Sequence, residues 1–149
     1  MLMAKSITSA DEQIRLCAFI CGYLEKENDY KIKLQVVDAL VEAESISSAL
    51  LALIHLKSND KAVVALNRFV AAACNCSVQA RTAVKVGGGL TTLRNIARFL
   101  EEHGSLEAQS SCTKALQAAV RNPLGDRLAD PREADRQRQA DITAGLFGD

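Results

Sequence analysis

The sequence predicts an all-α protein made of short amphipathic helices stacked side by side, and three observations carry that prediction. Apolar residues recur at spacings of three and four through most of the chain. The only two prolines, Pro123 and Pro131, fall after the last strongly periodic segment, so no pyrrolidine ring interrupts a helix before residue 123. The pattern also repeats itself after about 45 residues.

The first helix is expected over residues 11–27. Ser9 followed three places later by Glu12 has the form of a capping box, each side chain satisfying a free backbone N–H. Ile14, Cys17, Ala18, Cys21 and Leu24 form its inward stripe. Polar residues 25–29 give a turn. A second helix over 30–43 turns Ile32, Val36, Val37, Leu40 and Val41 inward. The third, over 46–57, is apolar nearly all round between Ala49 and Ile54, which requires burial between neighbours. Asn59 is placed to cap a fourth helix over 60–74, whose inward set is Val63, Leu66, Phe69, Val70 and Ala73. Asn75-Cys76-Ser77 is expected to break that helix. A short helix over 78–86 ends at Gly87-Gly88-Gly89, where glycine permits a sharp corner. Residues 90–102 follow with Leu93, Ile96, Ala97 and Leu100 inward. Ser105 then caps a last helix over 106–121, which buries Cys112, Ala115, Leu116 and Ala119 and stops at Asn122-Pro123.

Val41-Glu42-Ala43-Glu44-Ser45-Ile46 and Val84-Lys85-Val86-Gly87-Gly88-Gly89-Leu90 have the same form: a short helix ends, small or polar residues turn the chain, and the next helix restarts on Ile or Leu. Such a period falls in the range of about 40–47 residues found in armadillo and HEAT repeats. The glycine corner with Thr91-Thr92-Leu93 after it resembles the turn of armadillo units, and residues 41–46 resemble the same corner with glycine replaced. Ala65-Leu66-Asn67-Arg68-Phe69-Val70 and Ala115-Leu116-Gln117-Ala118-Ala119-Val120 take the place of that family's long third helix. The resemblance covers residues 11–122. It implies a short right-handed α-solenoid, an armadillo-like superhelix of about two and a half units, in a domain spanning residues 1–122. Arg68 and Ala118 stand where peptide-gripping members carry Asn, and Trp is absent. What the resemblance implies is therefore the architecture and a protein-binding role, not recognition of basic import peptides.

Residues 123–149 form a polar C-terminal extension with four Arg against six acidic residues. Asp130-Pro131-Arg132-Glu133 is a strong helix start, and one polar helix is expected over 131–144, ended by Gly145. Ile142, Leu146 and Phe147 are expected either to make an apolar hook for a partner or to belong to a solvated tail. At the other end of the stack, Phe19, Ile20 and Tyr23 leave the first helix apolar on more than one side, a surface to be covered either by another subunit or by the N-terminal residues folding over it. Arg68, Arg81, Lys85, Arg94 and Arg98 cluster in mid-sequence. Arg94 and Arg98, four apart on one helix face, and Arg68 are the candidates to meet an acidic partner.

Lys and Arg total 18 and Asp and Glu total 18, so the chain has no net attraction for nucleic acid or anionic membranes. No apolar run reaches the roughly 18 residues of a membrane span, and the N-terminus lacks the order of a secretory signal. These features predict an intracellular, cytoplasmic protein, with the mature form of an organellar protein as the alternative. Five cysteines at irregular spacing do not make a disulfide framework. Cys74-x-Cys76 has no further ligands at recognised spacing in Cys112, His55 or His103, and no acidic residue is placed to orient a Cys–His pair. Gly87-Gly88-Gly89 lacks the Lys-Ser/Thr of a phosphate loop. The expectation is a non-enzymatic adaptor or small structural subunit of a protein complex, with no cofactor and no metal. A small cysteine-dependent hydrolase or redox enzyme is the rival reading, and a nucleic-acid-associated helical protein ranks third.

Overall fold

The computed structural model describes residues 10–121, which form helices and no strand. In chain order these are α1 (Ala10–Lys26), α2 (Tyr30–Glu42), α3 (Ser45–Leu56), α4 (Asp60–Cys76), α5 (Val78–Val86), α6 (Gly89–His103) and α7 (Leu106–Ala119). The capping Ser9 and the helix expected over 131–144 lie outside the described residues. Among those residues, no helix is long and apolar enough to cross a membrane.

The helix starts follow from local chemistry. Asp29, Asn59, Ser77 and Ser105 each accept a backbone N–H from the first turn of the following helix, at 2.9, 3.1, 3.3 and 3.1 Å. α3 and α6 begin differently, each directly after a residue in the left-handed region, Glu44 at φ 62° and Gly88 at φ 72°. The order of starts over α2, α3 and α4 (side-chain cap, left-handed residue, side-chain cap) is thus repeated over α5, α6 and α7.

Packing follows the same interval of three helices. α4 lies between α1 and α7, α3 packs on α6, and α2 packs on α5. Three hydrogen bonds between side chains far apart in sequence fall on a similar step, Arg68 to Glu25 over 43 positions, Asn67 to Ser111 over 44 and Arg121 to Asn75 over 46, while Ser77 to Asp38 spans 39. The core runs through α4, where Val63, Leu66, Phe69 and Val70 are fully buried. Ile46 and Leu53 come in from α3, and Leu93 and Leu100 from α6. α7 meets the large residues of α4 with buried Ala108, Ala115, Ala118 and Ala119, and small side chains on one helix let the two axes approach. α2 has Val37 as its single fully buried residue and forms an edge.

Several expectations change. Ile32 of α2, expected inward, is 39% exposed, and α3 is not buried all round, with Leu51 and Ile54 49% and 47% exposed. The inward face of α1 is rotated, with Gln13 and Ile20 buried while Ala18 is exposed and Ile14 only partly covered. Choosing the apolar members of the stripe excluded Gln13, whose amide nevertheless packs inside, its Oε1 without a hydrogen-bond partner among the described residues. α4 also continues through Asn75-Cys76 and breaks only at Ser77. Its last turn is held by donors from elsewhere: Tyr30 Oη reaches the Cys76 carbonyl at 3.1 Å, and Arg81 Nη1 donates to the Cys74 carbonyl. Carbonyls that would otherwise be left over at a helix end are thereby satisfied.

Candidate binding face

Side by side, α1, α4 and α7 present one face. Small residues at the seams, Ala18, Ala65, Ala71 and Ala118, leave gaps that their neighbours do not fill. A depression of about 280 Å³ lies between Ile14, Cys17, Ala18 and Cys21 of α1 and Val64 and Ala65 of α4. A second, of about 310 Å³, opens between Asn67 and Ala71 of α4 and Ser110, Ser111 and Lys114 of α7. A third, of about 340 Å³, lies between Asn75 and the α7 side chains Lys114 and Gln117, with Arg121 at its end. Val64, Arg68 and Glu107 wall both the first and the second, and Ala71 and Lys114 both the second and the third. The three adjoin in a row as one groove.

Arg68 crosses the α1–α4 seam to pair with Glu25, and this hydrogen bond is the main reason its pKa is raised. Both side chains remain more than half exposed, so the pair shapes the groove wall more than it stabilises the fold. Asn67 is fully buried; its Nδ2 donates to Ser111 Oγ at 3.3 Å, and its Oδ1 has no hydrogen-bond partner among the described residues. At the C-terminal end of α4, Arg121 Nη1 donates to Asn75 Oδ1 at 2.8 Å, and Ser77 Oγ donates to Asp38 Oδ1 at 2.6 Å.

The residues singled out from sequence separate into groups. Phe19 and Tyr23 are 75% and 40% exposed on α1 and line none of the three depressions, whereas Ile20 turns into the core and is only 7% exposed, so it is not part of a docking surface. Arg94 and Arg98 are exposed on α6, and Arg68 lies in the groove wall. Arg81 does not belong to a surface basic cluster: it is 3% exposed and caps α4 from within, and burial draws its pKa down. Ile142, Leu146 and Phe147 lie outside the described residues. Val64, Ala71, Lys114 and Arg121, which line the groove, are not among the residues singled out from sequence, and Asn75 is singled out there only as part of a helix break. Their signal is a row at spacings of three and four beside the inward stripe, repeated on helices about 45 residues apart.

The five cysteines are free thiols. Burial pushes Cys17 and Cys74 up to about 12 and Cys112 up to about 11, and it also raises Cys21 and Cys76. A nucleophilic or metal-binding cysteine needs the opposite shift. His55 is exposed on α3, and His103 stacks at 4.8 Å on Phe99 and faces Glu102 at 3.7 Å, both on the surface. No group of three or more potential metal ligands occurs among the described residues. Cys76 alone is partly exposed. A disulfide reagent applied to the native protein at pH 8 is therefore expected to titrate one thiol quickly and the rest only on unfolding. Cys76→Ser should abolish the fast phase, and two or more fast thiols would contradict the burial. The same shifts set a pH dependence. Unfolded thiols ionise near the ordinary value of 9.0 while buried Cys17 and Cys74 keep their protons to about 12, so their contribution to stability is complete below pH 9 and is lost as pH climbs toward 12.

No protein-family model matches the chain, and neither a curated protein nor a solved structure does.

Proposed function

We propose that this chain is a non-enzymatic helical repeat protein of armadillo-like build, an adaptor or small structural subunit that binds other proteins through the α1–α4–α7 face. The observation that carries the reading is the row of adjoining depressions along the α1–α4 and α4–α7 seams, made by small residues where helices about 45 positions apart meet. The interval of three in both packing and helix starts supports the solenoid part of it. Thiols held protonated by burial favour binding over cysteine chemistry, and five free thiols suit an intracellular, cytoplasmic setting.

Ala71 supplies the test, because it walls two of the three depressions and is not fully buried. Tagged wild type and Ala71→Arg are to be purified from native cells and compared by mass spectrometry, with circular dichroism confirming that both are folded. The wild type should bring down a defined set of proteins that Ala71→Arg loses. Identical sets, or a wild type that brings down nothing, would remove the groove from the account.

A further inference from the structure

The outer side of α1 has a composition that the rest of the described chain does not explain. Its buried residues, Gln13, Cys17, Ile20, Cys21 and Leu24, form one stripe, and α4 is the main helix packed against it. On the opposite side Arg15, Phe19 and Lys26 are exposed, with Gly22 between them. Phe19 is the most exposed aromatic of the described residues, and Tyr23 stands one turn beyond it. A Cβ at Gly22 would meet nothing within 4 Å, so nothing among the described residues requires a glycine there. Glycine inside a helix is nevertheless destabilising relative to alanine. Positions 12, 15, 19, 22 and 26 alternate spacings of three and four, the pattern of a helix that lies along a second helix.

We propose that this second helix is α1 of another copy of the chain, running antiparallel across a two-fold axis at Phe19. The groove is not involved, since it is walled by Ile14, Cys17, Ala18 and Cys21 on another side of the helix. Glu12 and Lys26 lie seven residues either side of Phe19, and Arg15 and Tyr23 lie four either side. An antiparallel pair centred there sets Glu12 opposite Lys26 of the second copy, and Arg15 opposite its Tyr23. Both pairings are attractive, carboxylate with ammonium and guanidinium with aromatic ring, and the two-fold axis makes each of them twice. A parallel pair would oppose Glu12 to Glu12 and Lys26 to Lys26. Helical side chains lean toward their own N-terminus. In the antiparallel pair each Phe19 ring therefore leans over the C-terminal half of the other helix, where Gly22 leaves room for it. The aromatic and the glycine thus account for each other. α1 has 17 residues. One seam of about 25 Å is small beside the roughly 1,200 Å² of a stable complex, which makes the dimer a weak and concentration-dependent one.

Sedimentation velocity of the full chain, over about 1 to 500 μM, is the test, and the wild type should pass from monomer toward dimer across that range. Phe19→Ser should weaken association at least about tenfold. Gly22→Leu fills the room for the ring with a better helix former, so it should weaken association by a similar factor without harming the monomer. Glu12→Lys and Lys26→Glu should each associate less than the wild type. An equimolar mixture of those two should associate more than either alone, because it restores both pairs of opposite charge. Circular dichroism melts check that every variant is folded. Charge variants that associate as the wild type does, or association untouched by Phe19→Ser and Gly22→Leu, would overturn the inference. So would a wild type that stays monomeric throughout, which would leave residues 1–9 as the cover for Phe19. The comparison with Ala71→Arg is independent of all three results.

Discussion

Gly89→Ala is expected to lower the stability of the chain by about 2–3 kcal/mol, while the same change at Gly87 is close to neutral. A Cβ at Gly89 would lie 2.7 Å from Leu50 Cδ1, 2.7 Å from the Val84 carbonyl oxygen and 2.8 Å from Val84 Cγ1. The carbonyl belongs to the backbone of α5 and cannot swing aside, so α6 must move away from the helix it follows. At Gly87 the nearest atom is the Ala83 carbonyl at 3.3 Å, a contact that a small adjustment relieves. Gly88 is a third case: it has open space around it, but its φ of 72° makes any side chain cost about 1–2 kcal/mol. Urea unfolding followed by far-ultraviolet circular dichroism distinguishes the three. If Gly89→Ala unfolds within a few tenths of a kcal/mol of wild type, the close approach of α6 to α3 and α5 described above is wrong.

Arg81→Ala should cost about 3 kcal/mol, an unusual loss for an arginine. The guanidinium is buried and donates to the Cys74 carbonyl at the end of α4, where the helix dipole favours positive charge. Truncation leaves that carbonyl buried without this donor and also removes the packing of the aliphatic stem. Arg81→Lys should recover little, because an ammonium on a different stem does not reproduce the planar fork. Arg94→Ala, on the exposed side of α6, is the control and should change stability by less than about 0.5 kcal/mol. The check is guanidinium unfolding of all three variants; equal midpoints for Arg81→Ala and Arg94→Ala would place Arg81 on the surface.

Helix existence was legible because the punctuation is local. Asn59, Ser77, Ser105 and the glycine corner act within a turn of their own positions, and α5 begins and ends where the sequence places it. What was not legible arises between helices. The end of α4 depends on Tyr30, which reaches Cys76 from 46 positions away, and on an arginine that composition assigns to water. The face of α1 was misread by about one position because apolar Ile14 and Ala18 look more like core than Gln13 does. Those two residues stay open because they border a groove, and a groove exists only where two helices meet. The lining of that groove was unreadable for the same reason: Ala71 and Lys114 carry no meaning until α4 and α7 are laid side by side.

The central position of α4 has one more consequence. Both of its long flanks are occupied, one by α1 and the other by α7. Loosening either outer helix uncovers hydrophobic surface on the shared middle one, so the halves of the chain have no separate fates. A protein bound along the groove would touch all three at once and act as a splint across them, tying occupancy to thermal resistance through mass action.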